Sequence, residues 1–86
     1  MTVAHNTALN RYELKTEHGL AIAVYHQQGD WRVFTHTEVP RQDEGKGHAS
    51  HLVKEALDDT RRAGLKIRPA CSFVVTYVQR HPEYRD

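Results

Sequence analysis

Apolar residues fall into two periods along the chain, one suited to strands and one to a helix. Residues 12–14 (YEL) form a short strand candidate. Residues 19–27 (GLAIAVYHQ) are rich in small and β-branched apolar side chains, as a buried strand is. Gly29-Asp30 is a two-residue hairpin signal. Residues 31–39 (WRVFTHTEV) are dense in strand formers. Strict alternation puts Trp31, Val33, Thr35, Thr37 and Val39 on one face, and Arg32, Phe34, His36 and Glu38 on the other. Pro40 has no N–H to donate and ends the pairing.

The period then changes. Ala49, Leu52, Val53, Ala56, Leu57 and Ala63 share one face of a helix. Arg61 and Arg62 fall in its last turn, and Gly64 is the expected left-handed stop. Residues 65–69 (LKIRP) predict a short strand. Residues 70–81 predict a second helix with Phe73, Val74, Tyr77 and Val78 inward, although its valines also tolerate a strand. The order is β-β-β-α-β-α. The hairpin makes the early strands antiparallel, and the helical crossover makes the last pair parallel. The expected fold is therefore α/β (α+β): a mixed, mostly antiparallel sheet of about four strands with two helices.

Composition narrows the class. With 86 residues the chain is expected to form one domain, 1–86. A net charge of +1 and scattered basic residues argue against nucleic acid or an anionic membrane as partner. A single cysteine excludes an intramolecular disulfide and suits a reducing compartment. The start has no signal-peptide pattern, and the longest apolar run, LAIAV, is too short to span a bilayer, so a cytoplasmic location is expected. Seven histidines raise the question of a metal. His48 and His51 share a helix face, but no third ligand stands with them, and no metal is expected.

The stretch EGKGHAS, residues 44–50, sits between a strand and the first helix and has no side chain well placed to cap that helix. Glycines let an outside group approach the backbone, and the free N–H groups of a helix start favour an anion. The glycine spacing is neither that of a Walker A loop nor the dinucleotide fingerprint. The plain alternative is a flexible connection capped by Asp43 or water.

This stretch resembles motif A of the GNAT superfamily, the acetyl-coenzyme A-dependent N-acetyltransferases. That motif, Gln/Arg-x-x-Gly-x-Gly/Ala, links a strand to a helix. Gly47 and Ala49 match it, and Glu44 stands where Gln or Arg is usual. FTHTEVP, GLKIRPACSFV and YVQRHPEY extend the likeness over nearly the whole chain, to the short single-domain GNAT-like proteins. The resemblance implies a minimal GNAT fold with acetyl-coenzyme A as acetyl donor. It implies pyrophosphate binding at Gly45, Lys46, Gly47, His48, Ala49 and Ser50, and a pantetheine arm beside Val39, in a cleft where two parallel strands part.

The same likeness places Cys71 near the acetyl thioester, and a helix start favours a thiolate nucleophile. Tyr77 falls where larger members keep a tyrosine that protonates the leaving thiolate. Glu38, with His36, lies on the strand leading to the motif, where some members keep a general base. Each residue has a structural alternative: Cys71 and Tyr77 as packing residues, Glu38 and His36 as a polar face. The acceptor is an unidentified amine on a small molecule or a protein. The alternatives to an N-acetyltransferase are a non-catalytic acyl-coenzyme A-binding module and an interaction domain whose motif is only a connection. Exposed sheet edges are compatible with a monomer or a weak homodimer.

Overall fold

The computed structural model describes residues 2–86. Its elements are β1 (Val3–Asn6), β2 (Arg11–Thr16), β3 (Gly19–Gln28), β4 (Trp31–Glu38), α1 (His48–Arg62), β5 (Lys66–Pro69) and α2 (Ser72–Arg80). The sheet has five strands in the order β1-β2-β3-β4-β5, not about four. All neighbours are antiparallel except β4 and β5, which are parallel across the α1 crossover. The added strand is β1, whose VAHN sequence carries little apolar signal. It is an edge strand pinned by its polar side chains: His5 stacks on Tyr12 at 4.2 Å, and Asn6 donates to the Glu13 carboxylate at 3.0 Å.

Both helices pack on one face of this sheet. Tyr12, Leu14, Ala21, Ala23, Tyr25 and Phe34 form its floor, and Leu52, Val53, Ala56 and Leu57 from α1 cover it. Burying each of the larger aliphatic side chains contributes about 1.5–3 kcal/mol. Ala63 is not part of this face. The last buried position of α1 is Thr60, whose hydroxyl is satisfied by the Ala56 carbonyl at 2.8 Å. Gly64, at φ 76°, ends the helix. From α2, Val74, Tyr77 and Val78 join the core, while Phe73, expected inward, is half exposed. The other sheet face, with Leu20, Ile22, Val24 and Trp31, carries no helix and is partly exposed.

One irregularity in β4 shapes the rest. Phe34 pairs with Tyr25 and His36 with Val24, so Thr35 is an extra, unpaired residue: a β-bulge. The strict alternation is thereby broken. Directly paired residues point to the same side of a sheet. Thr37, opposite the buried Ala23, therefore joins Phe34 on the helix face, while His36 and Glu38, opposite Val24 and Ile22, turn to the open face. Pairing of β4 with β5 ends at Phe34 and Pro69, with one last bond from the Ala70 N–H to the Phe34 carbonyl at 2.9 Å. Beyond it β4 runs on to Glu38 while the segment after β5 turns into α2, so the two parallel strands part.

Candidate functional site

The parting strands and the start of α1 enclose a cleft of about 380 Å³, lined by Thr37, Val39, Glu44, Gly45, Gly47 and Phe73 among others. Five of the six positions expected to hold the pyrophosphate form its wall, Gly45, Gly47, His48, Ala49 and Ser50, together with Val39, expected beside the pantetheine arm. Gly47 is the N-cap of α1, at φ 82° and ψ 7°, and no side chain caps the helix. Its first intrahelical bond runs from the His51 N–H to the Gly47 carbonyl at 3.1 Å, leaving the N–H groups of His48, Ala49 and Ser50 ahead of it. A Cβ placed on Gly45 or Gly47 would meet no atom within 4 Å. The helix start is thus an open cradle of amide donors with a partial positive charge.

Lys46, the remaining position, does not serve this cradle with its side chain. Its ammonium lies 3.3 Å from the Asp43 carboxylate and 3.6 Å from that of Glu17. Asp43 is not a cap for α1 either. A 3₁₀ turn over Arg41–Asp43 aims it backwards, into the turn between β2 and β3. There its buried carboxylate accepts the His18 backbone N–H at 2.9 Å and contacts His18 Nδ1 at 2.8 Å. Hydrogen bonds from the His18 ring, and then from Thr16, the His18 backbone and Lys46, hold the carboxyl well below the usual range against the opposing effect of burial. Glu17, His18 and Asp43 also bring their ligand atoms within 4.8 Å of one another, a grouping a metal ion would fit. The Lys46 ammonium already serves this cluster as its cation.

At the inner end of the cleft, Thr37 Oγ1 touches Cys71 Sγ at 3.4 Å. This contact bridges the strand gap and puts the thiol behind the cleft wall, at the start of α2. Glu38 is on the opposite side of the sheet, where it contacts His36 at 3.2 Å and is well exposed. It is therefore separated from the cradle by the strand itself, but flanks the same gap. Tyr77 lies elsewhere. It lines a second groove of about 350 Å³ between α1 and α2, with Lys54, Arg80 and His81, and burial raises its pKa. The structure brings the cradle, Thr37 and Cys71 together along one cleft and leaves Glu38 and Tyr77 outside its wall. Sequence reasoning missed Thr37, because strict alternation had placed it away from Phe34. It also missed the Asp43–His18 brace, which joins residues 25 apart.

A family model for the GCN5-related N-acetyltransferases matches residues 11–86. The chain belongs to this family. Among curated relatives, Protein NATD1 of Mus musculus is 32% identical over 83 residues, spanning 93% of this chain and 76% of that protein. Protein NATD1 of Xenopus tropicalis is 31% identical with the same coverage. Human Protein NATD1 is 38% identical over 66 residues, 76% of this chain and 58% of its own. A GCN5-like protein from Staphylococcus aureus, solved by NMR, superposes with a TM-score of 0.68 at 20% identity, covering 96% of this chain and 82% of that one, and shares the fold. GCN5-related N-acetyltransferases as a family use acetyl-coenzyme A. No helix among the described residues is long and apolar enough to cross a membrane.

Proposed function

We propose that this chain is an acetyl-coenzyme A-dependent N-acetyltransferase acting on an amine. The observation that carries the proposal is the uncapped start of α1, whose free amides line a cleft that ends at the gap between two parallel strands. That cradle suits a pyrophosphate, since its glycines leave the backbone bare and its donors point to a common space. Bound acetyl-coenzyme A supplies an acetyl thioester. Gly45, Gly47, His48, Ala49 and Ser50 would hold its pyrophosphate by main-chain N–H groups. The end of β4 from Thr37 to Glu38 and Val39 just beyond it, which have no β5 partner, offer free backbone groups to the amides of a pantetheine arm.

The open side of the sheet then admits the acceptor. An amine reaching the strand gap from that side passes Glu38 and His36. Glu38 is placed to take the proton an ammonium must lose before its nitrogen can attack. In the transfer, a carbon–nitrogen bond forms, the carbon–sulfur bond breaks, and the released thiolate takes up a proton. Thr37, whose hydroxyl touches Cys71 Sγ at the inner end of the cleft, would line the space for the thioester.

Calorimetric titration with acetyl-coenzyme A tests the binding half, and release of coenzyme A thiol during an amine screen tests the chemical half. Saturable binding with turnover supports the proposal. Binding without turnover on any amine leaves a non-catalytic acyl-coenzyme A module, and no binding leaves the motif a structural connection.

A further inference from the structure

The open face of the sheet carries a compact pair of cations at the β4–β5 border. Lys66 and Arg68 are both exposed and lie on that face, because Ile67 between them points into the core. Each is held over the ring of Trp31, the first residue of β4. The Lys66 ammonium lies 5.3 Å from the ring centre, and the Arg68 guanidinium 4.5 Å. Lys66 pairs with Trp31 and Arg68 with Val33, so the four residues form one block. Among the described residues, neither cation has a carboxylate within ion-pair distance or an acceptor for its N–H groups. Lys46, Lys54, Arg61 and Arg62, by contrast, each face a carboxylate.

This block suits a chain that carries carboxylates. Stacking on the indole limits the freedom of Arg68 and leaves the edge of its planar fork to take a carboxylate through two parallel bonds. Two residues along a strand span about 6.6 Å, so Lys66 and Arg68 repeat at the spacing of alternate side chains in an extended peptide. Trp31, half-buried, adds apolar contact. A partner cannot enter by adding a strand. β5 is an edge strand, but its Ile67 N–H is already taken by the Asp86 carboxylate at 2.7 Å, and Pro69 has no N–H. Affinity has to come from the side chains on the face. Asp86 feels the Lys66 charge, yet its two oxygens are engaged by the Ile67 N–H and by Arg61, the latter at 2.6 Å.

We propose that this block docks an acidic peptide segment of a protein partner, extended along β5 on the open face, with alternate carboxylates on Lys66 and Arg68 and in contact with Trp31. The site lies on the other face of the sheet from the start of α1 and does not rest on the coenzyme A reading. It occupies the stretch of β4 that precedes the strand gap, on the same face as His36 and Glu38. A docked partner therefore sits on the side from which an acceptor reaches that gap.

Trp31 is the only tryptophan of the chain, so its indole N–H signal in NMR reports on the site. The probes are an end-blocked peptide alternating glutamate and serine, its glutamine counterpart, a DNA duplex, and vesicles containing phosphatidylserine. The glutamate peptide is expected to shift the signal saturably, and the glutamine peptide to leave it in place. Lys66→Gln and Arg68→Gln should each weaken binding by about two- to fivefold, as loss of an exposed ion pair does. Arg68→Lys should weaken it too, since an ammonium keeps the charge but not the fork. Both side chains are exposed, so the variants should keep the parental melting temperature. An indole signal that the glutamate peptide leaves unmoved, or equal binding of the glutamine peptide, overturns the inference. So does parental affinity in the Lys66→Gln, Arg68→Gln double variant. Tighter binding of the duplex or the vesicles than of the peptide makes the block a general anion surface and overturns the acidic-peptide assignment. A signal that moves with protein concentration alone gives the face to a second copy of the chain and overturns it as well.

Discussion

Gly47 separates what the helix start needs in order to fold from what it needs in order to bind. Its φ of 82° lies in the left-handed region, so Gly47→Ala strains the backbone by roughly 1–2 kcal/mol. In a domain of this size each kcal/mol moves the melting temperature by about 4–8 °C, so a loss of about 5–15 °C is expected. The added Cβ stands in open space within the cleft wall and meets no protein atom within 4 Å. Nothing in the unliganded protein clashes with it; a pyrophosphate lying against the amides would. Losing one charge-assisted bond costs about 1.5–3 kcal/mol, which is about 10- to 150-fold in Kd. Gly47→Asn tells the two effects apart, because asparagine tolerates left-handed backbone but is larger than alanine. It should recover part of the melting temperature and bind coenzyme A no better than Gly47→Ala. Melting curves and calorimetric titration of the two variants read both quantities. Parental affinity in either variant, with the fold retained, would remove the pyrophosphate from the helix start.

Glu44 lines the cleft, so Glu44→Gln should tighten coenzyme A binding by up to about fivefold at low ionic strength, with the gain fading as salt screens it. Titrations in low and high salt check this; no gain at low salt means that Glu44 points away from the bound anion. Asp43 has its pKa lowered from 3.8 by His18, so its stabilising effect is complete above that value and fades as pH falls below it. The stability gap between the parent and Asp43→Asn should therefore be narrower at about pH 3 than at about pH 6, read from urea midpoints. Cys71 Sγ touches Thr37 at the inner end of the cleft. If its thiolate displaces coenzyme A from the thioester, intact-protein mass spectrometry without acceptor finds one acetyl group on Cys71, which an amine then removes. Absence of the adduct, with full turnover in Cys71→Ala, leaves direct transfer to the amine.

The architecture was readable where a single period dominates. Leu52, Val53, Ala56 and Leu57 announce α1, and the Gly29-Asp30 turn announces the β3–β4 hairpin with its register of Gln28 on Trp31. β1 was not readable because an edge strand needs few apolar residues; His5 and Asn6 hold it by stacking and by a carboxylate 7 residues away. The bulge at Thr35 escapes for a different reason. No glycine or proline interrupts residues 31–39, and nothing in that run says that its partner strand will skip one residue. That one residue moves Thr37 and Val39 into the cleft and Glu38 out of it. The motif itself was legible as a chemical environment, whereas the direction of its long side chains was not. Lys46 had an anion to meet on either side, and the buried Asp43 carboxylate took it.

The brace at Asp43 explains how the helix can begin without a cap. A side-chain cap on α1 would contribute about 0.5–2 kcal/mol and would occupy the amides that an anion needs. The chain holds the segment from the other side instead. Asp43 ties the turn before Gly45 to His18, and the 3₁₀ turn after Pro40 fixes the approach. The order of the segment therefore does not depend on the donors of His48, Ala49 and Ser50, which stay free. The same arrangement sets the local field. Lys46 is neutralised by Asp43 and Glu17. The cleft is lined by the positive end of α1 with His48, and by the acidic residues Glu44 and Asp43, the latter tied to His18 and Lys46. Attraction for a pyrophosphate at this helix start thus comes mainly from backbone amides, which do not titrate.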